Sequence, residues 1–137
     1  MDDYIPLLRF ASDIGMVVLI WLVQLIIYPS FFLIDAGKFT AWHARYTRRI
    51  SVVVMPLMIA QAVSTAVLLT RNADPGLKLE TVGLIAAWTV TFSLSVPCHK
   101  KLQQSGKNDD VIRRLIFTNW FRTAAWTLVL LSGLLTE

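Results

Sequence analysis

Charge, cysteine and histidine are all scarce in this chain. Charged residues occupy 16% of its 137 positions, Cys98 is the one cysteine, and His43 and His99 are the two histidines. A lone cysteine excludes a disulfide within the chain. So little charge excludes a disordered tail and an ordinary nucleic-acid-binding module. Several motifs are missing as well. There is no Gly-rich phosphate loop ending in Lys-Ser/Thr, no serine elbow, and no Cys-x-x-Cys, His-x-x-x-His or Glu-x-x-His ligand spacing. Strand-type alternation is absent, and no row of carboxylates runs through the apolar segments as a proton pump would require.

What is present is apolar. Hydrophobic residues make up 55% of the chain and the mean hydropathy is +0.59, more apolar surface than a water-soluble domain of this length buries, which leaves lipid as the remaining solvent. The excess lies in four runs: 14–34, 50–69 and 81–98 without a charge, and 115–136 with Arg122 alone. A helix rises about 1.5 Å per residue and needs roughly 20 residues to cross about 30 Å of hydrocarbon, whereas a closed barrel needs about eight strands or more. The expectation is an all-α, integral membrane four-helix bundle, one domain over 1–137, with spans at about 6–34, 50–70, 81–98 and 115–135.

The acids of Met1-Asp2-Asp3 stand where a signal peptide carries a basic region, so the first helix is expected to stay. Pro29 either ends that helix at Tyr28, with a start near Pro6, or kinks it on its way to Ile34. In the second case Arg9 and Asp13 are expected in the outer headgroup region. Ten of the thirteen Lys and Arg residues fall in 35–49, 99–114 or at Arg122. The positive-inside rule then places both basic connections in the cytoplasm, and both termini and the Asn72-Ala-Asp-Pro-Gly turn outside. Because these cations flank spans, they suit anionic headgroups, and no nucleic-acid partner is expected.

The basic connections are patterned as helices. Phe39, Trp42, His43 and Tyr46 recur at helical spacing, giving an amphipathic helix over about 38–49 that either extends the second span or lies on the membrane. Ser105-Gly106 reads as a helix end and Asn108 or Asp109 as the next N-cap, so the third helix is expected to pass Pro97 and reach about Gln104.

Polar side chains at membrane depth are costly, which makes them the candidates for function. Asn119, Arg122, Thr123 and Trp126 share one face of the fourth span. Arg122 either snorkels to the interface or staples the bundle, or it anchors an anionic or carbonyl-bearing ligand with Asn119 beside it and Trp126 as a wall. His43 and His99 fall on the same side. They are either ordinary interfacial residues or a pair that shuttles protons, binds a quinone carbonyl, or ligates a metal or haem. Gln24 and Gln61 read as interhelical hydrogen bonders, and Ser93 and Ser95 as bonded to their own backbone. Tyr28, one turn beyond Gln24, is either a belt residue or the phenol of a site shared with Tyr46. Pro56 and Pro97 can bend their helices and free carbonyls. Gly15 and Gly83 are isolated, so no dimer face announces itself, and a homo-oligomer stays open.

Five segments carry a resemblance: Trp21-Leu-Val-Gln24-Leu-Ile-Ile-Tyr28-Pro29, Phe39-Thr-Ala-Trp-His43-Ala-Arg-Tyr46-Thr-Arg48-Arg49, Pro56-Leu-Met58, Val96-Pro97-Cys-His99-Lys-Lys-Leu102 and Asn119-Trp120-Phe-Arg122-Thr123-Ala-Ala-Trp126. Over about residues 15 to 130 the chain resembles a bacterial group of small four-span membrane proteins of unassigned function, which implies a bacterial cytoplasmic membrane. Members of that group often carry a histidine where this chain has Tyr46, so a three-histidine metal site is not implied here. More distantly, the layout is similar to the anthrone-oxygenase-like membrane proteins, which implies oxidation of a hydrophobic aromatic or quinone-like substrate.

The expectation is therefore a membrane-embedded, oxidoreductase-like enzyme acting on a lipophilic substrate. His43 and His99 would serve as proton-transfer groups or ligands. Arg122 and Asn119 would orient a substrate oxygen, and Gln24, Tyr28, Tyr46, Trp120 and Trp126 would line the pocket. The cofactor stays open among a metal ion, haem and a quinone. Two alternatives stand beside this reading: a non-catalytic binder or transporter of lipid or a small metabolite, and a structural or accessory membrane subunit.

Overall fold

The computed structural model describes residues 4–135. The Met1-Asp2-Asp3 start and Thr136, which ends the fourth apolar run, lie outside the described residues. The described residues are helical almost throughout and contain no strand. Four long helices form the chain: α1 (Tyr4–Leu33), α2 (Ala36–Arg71), α3 (Pro75–Ser105) and α4 (Asp109–Gly133).

The prolines shape α1 and α3 in the same way. A proline has no N–H for the carbonyl four residues back. For Pro29 that carbonyl belongs to Leu25, and for Pro97 to Ser93. Both sit at the centre of a five-residue π-helical turn, Val23–Ile27 in α1 and Thr91–Ser95 in α3. The helices absorb the orphaned carbonyl by widening one turn, and each runs on through its proline. Pro56 leaves α2 uninterrupted. The choice left open at Pro29 is thereby settled: the helix continues to Leu33.

The ends are closed by local chemistry. Asp35 caps α2 through Gly37 N–H at 2.9 Å, Asp74 caps α3 through Leu77 N–H at 3.0 Å, and Asn108 caps α4 through Val111 N–H at 3.1 Å. Gly106, at φ +79°, takes the left-handed turn that ends α3 at Ser105. The amphipathic segment about 38–49 is the continuous first part of α2.

Helices α1, α2 and α3 are long and apolar enough to cross a membrane, but α4 falls short of the expected fourth span. The reason is the face it turns inward, where Thr118, Asn119, Arg122, Thr123 and Ser132 are all buried. Helix α4 packs along α3 and α1, and α1 along α2, whereas α2 and α3 meet only sparsely.

Polarity runs opposite to that of a soluble bundle. Large apolar side chains such as Leu25, Val52 and Ile85 stand more than half exposed, while Arg9, Asp13, Gln24, Gln61, Glu80 and Asn119 are at most 3% exposed. Arg9 and Asp13 are thus turned into the bundle rather than outward. Arg9 pairs with Glu80, Thr65 Oγ1 donates to Glu80 Oε1 at 3.0 Å, and Gln61 Nε2 donates to Asp13 Oδ1 at 2.7 Å. Gly133 admits this cluster, since a Cβ there would lie 2.9 Å from Arg9 Nη1.

Candidate functional site

At the basic end, the two π-turns and the first turns of α2 bring four helices around one polar chain. Arg122 Nη1 donates to Tyr28 Oη at 3.3 Å, and Tyr28 Oη lies 3.0 Å from His99 Nε2. His99 Nδ1 lies 3.0 Å from His43 Nε2, and His43 Nδ1 lies 2.8 Å from Gln103 Oε1. Gln103 Nε2 donates to the Thr40 carbonyl at 3.3 Å.

The two ends of the chain decide its polarity. A guanidinium can only donate and a carbonyl can only accept. Tyr28 oxygen therefore accepts from Arg122 and keeps its O–H available to His99 Nε2. At the other end the Thr40 carbonyl takes the Gln103 amide hydrogen, which turns Gln103 Oε1 toward His43 and requires a hydrogen on His43 Nδ1. Neutral His43 then accepts at Nε2 from His99 Nδ1–H, and neutral His99 accepts at Nε2 from Tyr28. Every donor points the same way, from Arg122 toward residue 40.

Aromatic packing holds the rings in place. Phe39 stacks on His43 at 5.6 Å and His43 on His99 at 5.2 Å, with the fully buried Phe31 set edge-on to both imidazoles. All four imidazole nitrogens are engaged by protein partners. Among the described residues no group of three or more His, Cys, Asp or Glu side chains gathers for a metal ion, and the two histidines are hydrogen-bonded to one another.

A cavity of about 230 Å³ lies where α2 and α3 part, lined by Val23, Tyr28, Tyr46, Val54, His99 and Arg122, among others. Tyr46 stacks on Trp42 at 5.5 Å and makes no hydrogen bond among the described residues. In the cavity wall, Arg122 is positioned rather than freely placed. Its Nη1 also donates to Asn119 Oδ1 at 3.0 Å and contacts Ser95 Oγ at 3.5 Å, and its charge sits 5.1 Å from the Trp126 ring centre.

The expected site residues divide accordingly. Tyr28, Tyr46, His99 and Arg122 line the cavity. His43 is fully buried and reaches it through His99. Asn119 and Gln24 lie behind it. Asn119 Nδ2 donates to Gln24 Oε1 at 2.9 Å, and Gln24 Nε2 donates to the Ile116 carbonyl at 3.2 Å, so both amides are spent inside the bundle. Trp126 is fully buried behind Arg122, with its Nε1 on Gln61 Oε1 at 3.0 Å.

Trp120 is a correction. One residue after Asn119 it points about 100° away, is 46% exposed, and packs edge-on against Trp21 at 5.8 Å instead of lining the cavity. Ser95 is another, since it meets Arg122. Gln103 and Glu80 were not legible as site residues. Gln103 sits in a polar connection, and Glu80 stands just before the third apolar run. The signal available for Glu80 was Arg9, a cation that needs a partner at that depth.

No family model, curated protein or solved structure matches this chain.

Proposed function

We propose that the chain is a membrane-embedded enzyme that removes the hydroxyl proton of a lipophilic, quinol- or phenol-like substrate, the acid–base part of an oxidoreductase-type reaction. The one-way hydrogen-bond chain carries this reading. A substrate hydroxyl in the cavity gives its proton to Tyr28 oxygen as Tyr28 passes its own to His99 Nε2 and His99 passes its Nδ1 proton to His43 Nε2. The balance is simple: the substrate becomes an oxyanion beside Arg122, Tyr28 and His99 end neutral, and His43 becomes an imidazolium whose Nδ1–H stays on Gln103. Tyr28 and Arg122 are the catalytic residues, while His99 and His43 carry the proton away.

Membrane insertion is part of the same proposal. Helices α1 to α3 meet the length and apolar criteria, their outward faces are apolar, and the 25 residues of α4 are long enough to cross at about 1.5 Å each. The basic end would face the cytoplasm of a bacterial cell, with both termini outside. The cavity mouth between α2 and α3 would then admit a substrate from the bilayer.

The test is the hydrogen placement itself. Nitrogen-15 NMR of histidine-labelled protein in lipid nanodiscs is expected to find both imidazoles neutral and protonated on Nδ1 at neutral pH. His99 carrying its hydrogen on Nε2 would reverse the chain, leave Tyr28 no acceptor, and end this mechanism. Mass spectrometry of molecules extracted from protein purified in mild detergent is expected to show a retained phenol- or quinone-type compound.

A further inference from the structure

Arg122 is 6% exposed, and no Asp or Glu pairs with it among the described residues. The other buried arginine, Arg9, has Glu80. The Arg122 hydrogen bonds go to the neutral groups Tyr28, Ser95 and Asn119, all through Nη1. Its Nε is buried without a partner, and its Nη2 makes no hydrogen bond among the described residues. A cation–π contact with Trp126 offsets part of the cost, but a buried charge without a counter-ion is expensive to keep. The same arginine lines the cavity.

We infer that the counter-ion of Arg122 is the ligand: the cavity binds a single-ring oxygen acid as its anion, a phenolate, enolate or carboxylate. The size limit follows from volume. An apolar cavity of about 150 Å³ holds one benzene, so about 230 Å³ accepts one substituted ring, and a fused polycycle would have to extend out between α2 and α3. The inference rests on the reading of this cavity as the substrate site, but not on the direction of the proton chain.

The probe is 4-nitrophenol, whose absorbance separates phenol from phenolate. Titrated with the detergent-solubilised protein, the bound probe is expected to ionise at least one pH unit below the same probe in detergent alone, about a tenfold shift in its acid constant. Arg122→Gln is expected to erase the shift, and Arg122→Lys, which keeps a charge, to retain part of it. A failed NMR result with an intact shift would sink the mechanism and leave the anion site standing. Absence of binding, or titration of the wild-type-bound probe at or above its detergent value, overturns the inference without recourse to any variant. So does a shift that survives in folded Arg122→Gln.

Discussion

Arg122→Met is expected to give a protein more stable than the wild type, by at most about the 1–4 kcal/mol gained when whole buried ion pairs are replaced by apolar side chains of similar volume. Methionine fills the volume beside Trp126 and removes a charge that no described acid neutralises. Against this gain stand the hydrogen bonds to Tyr28 Oη, Ser95 Oγ and Asn119 Oδ1, which the variant loses. Denaturant unfolding in mild detergent, followed by tryptophan fluorescence, measures the balance as a shifted midpoint at unchanged slope. A lower midpoint would make Arg122 an interhelical staple and favour a structural role for the polar core. A higher midpoint together with loss of phenolate binding would mark it as a side chain retained at a cost in stability, as functional sites commonly are.

The opposite sign is expected at the other buried arginine. Glu80→Ala removes the carboxylate paired with Arg9 and the acceptor of Thr65, at no exposure to water. Breaking a buried pair from one side costs about 3–5 kcal/mol, which is of the order of a small domain's whole stability. The same unfolding assay should show a large fall in midpoint or no folded protein at all. Replacing both partners, Arg9→Met with Glu80→Leu, is expected to recover most of that loss. If the single variant unfolds like the wild type, the pair contributes nothing to the bundle. The two arginines then make a controlled contrast: one pays for its burial with a carboxylate supplied by the chain, and the other has none.

Much of the architecture was legible because it depends on local chemistry. Asn108 and Gly106 announce helix ends through capping and a positive φ, and the spacing of Phe39, Trp42, His43 and Tyr46 announces a helix, whatever lies around them. The apolar runs set the number of long helices for the same reason. Composition alone could also single out Arg122, His43 and His99, because any polar group in so apolar a chain requires a partner.

Which partner each one has is a property of the packed bundle. The helical path through Pro29 depends on a π-turn that a proline permits but does not compel. Asn119 looked like a ligand contact and instead donates to Gln24, the interhelical hydrogen bonder, since their helices meet face to face. Trp120 looked like a pocket wall and points outward, because a step of one residue turns the side chain about 100°. His43 and His99 lie 56 positions apart in sequence, with no spacing to link them. Only the approach of α2 to α3 places their rings in contact, and only the guanidinium at one end and the carbonyl at the other give the chain between them its direction. Residue types determine which groups must be satisfied, but hydrogen bonds act over about 3 Å, so the tertiary structure decides by what.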